Sequence, residues 1–126
     1  DPANPGSDNP LALGPAGTAH MTLGDYARFL GLFLNDGAGL LSADTMAVLT
    51  RSAGSGRPAY GGGWIIAEGQ SWAGGPALTH DGSNTMWYLS AWVAPGAGRA
   101  FVAASNDGMA GAQACRQLIP ALIQAT

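Results

Sequence analysis

The chain has 126 residues, a length that suits one domain, or one lobe of a larger one, and that buries about 65% of the unfolded surface on folding. Five Arg against eight acidic residues leave a net charge of −3, which provides no basic patch to neutralise phosphates and argues against nucleic acid as a partner. Hydrophobic residues reach 47% without any apolar run near the length of a membrane span, and 20 Gly with only 10% charged residues suit buried strands joined by tight turns.

The opening "DPANPGSDNPLALGPAG" carries Pro2, Pro5, Pro10 and Pro15 among Gly, Asn and Ser, so residues 1–17 are expected to run as an extended, irregular segment. The first residue is Asp1 rather than Met, which suggests a processed chain or a piece of something longer. "HMTLGDYARFLGLFLNDG" predicts a helix with Thr22 as N-cap, Asp25 three residues on, and Met21 placed to staple to Tyr26. Leu23, Tyr26, Ala27, Leu30, Phe33 and Leu34 share its apolar face, and Asn35, Asp36 and Gly37 stop it. A second helix begins at Ser42, with Asp44 in its first turn and Leu41 placed against Met46, and ends near Thr50 or Arg51. These two helices make residues 22–51 a helical part.

After a Gly, Ser and Pro loop over 52–59, the pattern changes to strands, and residues 60–126 read as sheet plus one terminal helix. "YGGGWIIAEG" is expected to be one strand whose consecutive Gly imply close backbone approach. Ala77–Ser83, Met86–Ala94 and Arg99–Ser105 alternate or run apolar, and the "PGAG" between the last two predicts an antiparallel hairpin. Ala110–Ile123 closes the chain as a helix with Cys115, Leu118, Ile119, Leu122 and Ile123 on one side and Pro120 as a kink. The order predicts an α+β fold, a mostly antiparallel sheet covered by helices, spanning 1–126 as one unit.

Three segments, in order, carry a resemblance. They are "GPAGTAHMTLGDYARF", "LLSADTMAVL" followed at a distance by "YGGGW", and "LTHDGSNTMWYLSAWVAP" leading to "AFVAASNDG". Together, over roughly Gly14 to Ile123, they resemble the C-terminal part of the serine β-lactamase and penicillin-binding-protein-like hydrolases, in particular the class C type and its esterase and peptidase relatives. In that family a Ser-x-x-Lys supplies the nucleophile and its Lys partner, a Tyr-x-Asn supplies a proton shuttle, and a third motif, Lys-Thr-Gly or His-x-Gly, lines the opposite wall. Here no Lys occurs anywhere, and Tyr26, Tyr60 and Tyr88 are followed two residues later by Arg28, Gly62 and Ser90. The resemblance therefore implies that the first two motifs lie upstream of Asp1. It also implies that the chain by itself is inactive.

The third motif here is His80-Asp81-Gly82, followed by Ser83. Side chains alternate along a strand, so His80 and Gly82 face one way and Thr79, Asp81 and Ser83 the other, and His80 and Asp81 form no base-and-orienter pair. By resemblance, His80 faces the cleft, Gly82 leaves room for substrate against the strand, and the Ser83 backbone N–H points at the developing oxyanion, a donor worth ~3 kcal/mol in the transition state. Asn106 is expected to reach a polar group of the substrate, or else to cap the end of the last strand. Trp87 and Tyr88 are candidates for the cleft wall or, as strand aromatics, for the core. A Lys at this motif is a fixed cation, whereas His titrates near ~6.5, so a substrate carboxylate is held less firmly and esters, amides or D-amino-acid peptides are favoured over β-lactams.

The remaining polar residues read as structural. His20 precedes a helix cap, and His20, His80 and Asp81 match no compact metal-ligand spacing, so neither a metal nor another cofactor is implied. Cys115 is the only Cys and sits on an apolar helix side, as a small hydrophobe would. "YGGGW" lacks the Lys-Ser/Thr of a phosphate loop, and no Ser lies in a Gly-x-Ser-x-Gly elbow. Two functions follow: one wall of a serine acyl-transfer hydrolase for small-molecule or peptide substrates, or a non-catalytic binding or assembly module. In the resembled family the sheet is completed by strands from the start of the protein. The chain is thus expected to expose a sheet edge and an apolar face, and to partner its own N-terminal part or a second copy in a homo-oligomer. The same resemblance implies a periplasmic or secreted location.

Overall fold

The computed structural model describes Asn4, Gly6 and residues 9–126. Five strands form one antiparallel sheet in chain order: β1 (Tyr60–Gly61), β2 (Trp64–Ala67), β3 (Ala77–Ser83), β4 (Tyr88–Ala94) and β5 (Arg99–Ser105). Helices α2 (Leu23–Leu34) and α3 (Ala43–Thr50) pack on one face of the sheet and α4 (Gly111–Gln124) on the other. The α+β architecture is the one expected, with helices on both faces of a simple meander. No helix among the described residues is long and apolar enough to cross a membrane.

The expectation for residues 1–17 is corrected where it can be seen. Leu11–Leu13 form a 3₁₀ turn and Gly14–Gly17 a short helix, α1, where an extended run was expected. Pro15 sits in the first turn of α1, where its fixed φ suits the helix and its missing N–H has no partner to lose. The Asn9 amide then donates to the Gly17 carbonyl at 3.1 Å, closing the segment on itself. Residues 1–3, 5, 7 and 8 lie outside the described residues.

Helix α2 begins as its sequence dictates. The Thr22 hydroxyl oxygen accepts from the Asp25 N–H at 3.1 Å and the hydroxyl donates to the Asp25 carboxylate at 2.7 Å, so the cap and the third residue engage each other. Leu30 and Phe33 are buried and Tyr26 and Leu34 half-buried, but Leu23 and Ala27 face solvent and Met21 stays half exposed. The buried stripe is thus narrower than the predicted one, running from Tyr26 through Leu30 to Phe33 and Leu34 against the core. Phe33 meets Trp64 edge-on at 5.1 Å, a pair that adds about 1 kcal/mol beyond the area it buries. Helix α3 is capped by Ser42, whose Oγ accepts from the Thr45 N–H at 3.2 Å, and it buries Met46 into the same core.

The single strand expected over "YGGGWIIAEG" is two. Gly62 and Gly63 take φ of 57° and 88° and turn β1 back onto β2, with Tyr60 opposite Ile65. The close approach expected of these Gly is present: a Cβ on Gly61 would stand 1.9 Å from the Arg51 carbonyl oxygen, and one on Gly62 2.1 Å from that of Leu49. β3 and β5 have the predicted bounds, while β4 starts at Tyr88 rather than Met86. In α4, Cys115 and Ile119 are buried and Leu122 and Ile123 half-buried, but Leu118 is 48% exposed, so the apolar side excludes it. Period-two alternation divides β4 between the two layers: Leu89, Ala91 and Val93 join the α2–α3 core, and Tyr88 and Trp92 join the α4 core.

Candidate active-site wall

Among the described residues, the second half of β3 has a strand on one side only. β2 pairs with Ala77, Leu78 and Thr79 and goes no further, while β4 pairs along Leu78 to Ser83. His80, Asp81, Gly82 and Ser83 are all exposed. This stretch therefore offers an open backbone edge, with unpaired N–H and C=O groups beside two Gly-flanked hairpins.

Its side chains alternate as expected. Leu78 is buried in the α2–α3 core, so His80 and Gly82 share that face; Thr79 is buried and donates to the Ala91 carbonyl at 2.9 Å. The His80 ring stands 6.3 Å from that of Tyr60, tilted by 57°. Among the described residues, a Cβ built on Gly82 meets nothing within 4 Å, so the space over this residue is open. His80 and Asp81 have different partners on different faces and are not a catalytic pair.

Asp81 is the centre of a cluster that the sequence reading missed. Its Oδ2 accepts from the Tyr88 hydroxyl at 2.6 Å and from Arg116 Nε at 3.2 Å, and Ser90 lies directly across the ladder. Burial pushes the Asp81 carboxyl up, but hydrogen bonding by Ser90, Tyr88 and Arg116, with the guanidinium charge, outweighs it and leaves the group below the ordinary carboxylate value. The Tyr88 phenol is raised, first by burial and then by the carboxylate it serves. A Tyr one strand over, on the same face and diagonal to an Asp, was the available signal; Arg116, 35 residues away in sequence, was not foreseeable from spacing.

The turn after the wall is built by its own polar residues. Ser83 Oγ accepts from the Thr85 N–H at 3.0 Å and donates to the Gly108 carbonyl at 3.2 Å. Asn84 Oδ1 accepts from the N–H groups of Met86 and Trp87 at 3.2 and 2.8 Å. Thr85 is held at φ 72°, a left-handed conformation that a β-branched residue rarely adopts, and a Cβ on Gly108 would stand 2.3 Å from the Thr85 carbonyl carbon. "HDGSNT" is thus a strand end, an open edge and a tightly tied turn.

The other sequence candidates fall elsewhere. Asn106 is exposed one residue past β5; Ser105 is opposite Tyr88 and Tyr88 opposite Ser83, which puts it at the same end of the sheet but two strand spacings, about 10 Å, from β3. The neighbouring Asp107 does the capping: its Oδ1 accepts from the N–H groups of Met109 and Ala110 at 2.9 and 2.8 Å, and these bonds, that of Ala110 foremost, hold its carboxyl below the usual range. Tyr88 is buried, whereas Trp87 is 52% exposed beside the turn. His20 is exposed with Nδ1 2.7 Å from the Thr18 carbonyl oxygen. Burial, and then the Asp81 charge, push the Cys115 thiol up, away from nucleophilic character. Among the described residues, no three His, Cys, Asp or Glu side chains converge as a metal site would require.

Behind the wall lies a cleft of about 930 Å³, between α4 and the β2–β3 half of the sheet. Ile65, Trp72, Trp92 and Ile119 give it apolar sides, and Asp81 and Arg116 stand at its polar end. No protein-family model, no curated protein and no solved structure matches this chain.

Proposed function

We propose that this chain forms one wall of the active site of a serine acyl-transfer hydrolase acting on esters, amides or D-amino-acid peptides, with the nucleophile supplied from outside residues 1–126. The observation that carries this reading is the open edge of β3 from His80 to Ser83, with empty space over Gly82. An extended substrate can lie along such an edge and take backbone hydrogen bonds from it, as an added strand does. In this reading, serine attack makes a tetrahedral intermediate whose oxyanion accepts from the Ser83 N–H, and collapse expels the leaving alcohol or amine to give the acyl-enzyme, which water then hydrolyses. His80, beside Tyr60, lines the same edge, and Asn106 stands farther along that end of the sheet.

The second reading, a non-catalytic assembly module, is favoured by two other surfaces. Among the described residues β5 has no strand on its outer side, and no Pro or charge interrupts residues 100–105. One helix covers the α4 face where two cover the other, and the cleft takes the remaining space. In the hydrolase reading these surfaces are closed by the polypeptide that carries the nucleophile, and in the assembly reading by a second copy of the chain.

The test is fluorophosphonate labelling and p-nitrophenyl ester hydrolysis by residues 1–126 alone and by the longer polypeptide encoded with them. Labelling at a serine upstream of Asp1, with turnover only in the longer form, supports the hydrolase. Turnover by residues 1–126 alone, or an unreactive longer form, overturns it, and a stable homodimer of the short chain favours the assembly module with a second copy as partner.

A further inference from the structure

The open stretch His80–Ser83 is anchored from one face only. On the α2–α3 side His80 is exposed and Gly82 has no side chain, and in the plane of the sheet β4 is its only paired neighbour among the described residues. What remains is the α4 face, where both side chains are tied to elements beyond the strand. Asp81 meets Tyr88 at 2.6 Å and Arg116 at 3.2 Å, and Ser83 meets the Gly108 carbonyl at 3.2 Å.

We propose that Asp81 is a positioning residue: gripped by Tyr88 and Arg116, it fixes the backbone of His80–Ser83 in the place where substrate lies. The role toward substrate rests on the function proposed above, whereas the grip is a property of the fold. A strand end paired on one side opens locally at low cost, and a backbone donor is useful to a developing oxyanion only when held within about 0.5 Å of its place. Arg116 is suited to hold it. Cys115 and Ile119, on either side of Arg116 in α4, are buried against β4 and β5, and the guanidinium carbon lies 5.7 Å from the centre of the Tyr88 ring. The carboxylate is thus gripped by a ring from β4 and a cation from α4, and the wall is referenced to the core rather than to its own hairpin.

The experiment compares Arg116→Ala, Tyr88→Phe and Arg116→Lys with the unsubstituted protein. Hydrogen exchange at single amides reads the grip, and kcat and KM for a p-nitrophenyl ester read its consequence in the longer, active polypeptide. Expected is exchange about tenfold faster at the β3 amides of residues 80–83 that bond to β4, with β4–β5 amides unchanged, in Arg116→Ala and in Tyr88→Phe. Arg116→Lys, which keeps the charge, is expected to recover part of the protection. In the active form kcat falls about tenfold while KM stays within about twofold, as for a contact made in the transition state. Uniformly faster exchange over the whole sheet, unchanged exchange at 80–83, or local loosening without loss of kcat would each overturn the proposal. If the unsubstituted long polypeptide hydrolyses no ester, the functional reading fails, and exchange alone judges whether Asp81 holds the edge.

Discussion

The Tyr88 hydroxyl reaches diagonally from β4 to β3 and donates to Asp81 Oδ2 at 2.6 Å, from a ring that is 6% exposed. The pair ties the buried α4 core to the exposed end of β3. Tyr88→Phe keeps the ring and its packing and removes only the donor, so it isolates the bond. We expect a loss of about 1.5 kcal/mol of stability, the lower end for a hydrogen bond to a charged acceptor, because the carboxylate keeps Ser90 and Arg116. Urea unfolding with an unchanged slope checks it, and a loss near zero would show that Arg116 and Ser90 satisfy the carboxylate unaided.

The lowered Asp81 carboxyl makes stability pH-dependent in a stated direction. Because its folded value lies below the unfolded one of ~3.9, its contribution is present above that pH and lost as the pH falls through the folded value. Asp81→Asn is therefore expected to destabilise the protein at neutral pH and to flatten the acid side of a plot of Tm against pH. Parallel acid limbs for the two proteins would contradict the assignment.

Two Gly of the sheet are expected to respond in opposite ways to a methyl group. Gly82→Ala meets open space and changes stability by no more than about 0.5 kcal/mol, yet it fills the room over the edge and, if the proposed hydrolase function holds, cuts ester turnover by the nucleophile-bearing form about tenfold or more. Gly61→Ala drives a Cβ to 1.9 Å from the Arg51 carbonyl oxygen and should cost about 2–3 kcal/mol through displacement of the α3–β1 junction. Thermal melts of both variants, with activity of the first, separate space kept for a ligand from space closed by backbone.

Thr85 holds a left-handed φ of 72° in the turn that follows the wall. Asn tolerates this conformation better than a β-branched residue, so Thr85→Asn is expected to stabilise the fold by about 1 kcal/mol. If the strain serves to aim the Ser83 backbone, the same change lowers kcat. A variant that is no more stable would mean that the Thr85 backbone is strained whatever its side chain.

Local chemistry explains what was legible beforehand. Thr22 and Ser42 announce their helices because a hydroxyl three residues before a free N–H is a complete capping device within one turn, and both caps form. Alternation in "YLSAWVA" divides β4 between two cores because a strand has only two faces, and the antiparallel pairing of β4 with β5 follows from the short "PGAG" turn between them. The opposite faces of His80 and Asp81 were legible for the same reason.

What only the tertiary structure decided is where long-range partners meet. The sequence placed Arg116 on a terminal helix and Asp81 in a strand, but which α4 side chains point at β3 depends on how the helix docks, and docking is set by Cys115 and Ile119 packing on Phe101 and Ala103. The close approach of the Arg51 and Leu49 carbonyls to Gly61 and Gly62 likewise depends on where α3 docks, and β2 pairing ends at Thr79 beside the turn at Gly62 and Gly63. Caps and alternation are written within a few residues, whereas an open edge is defined by the neighbour that stops short of it.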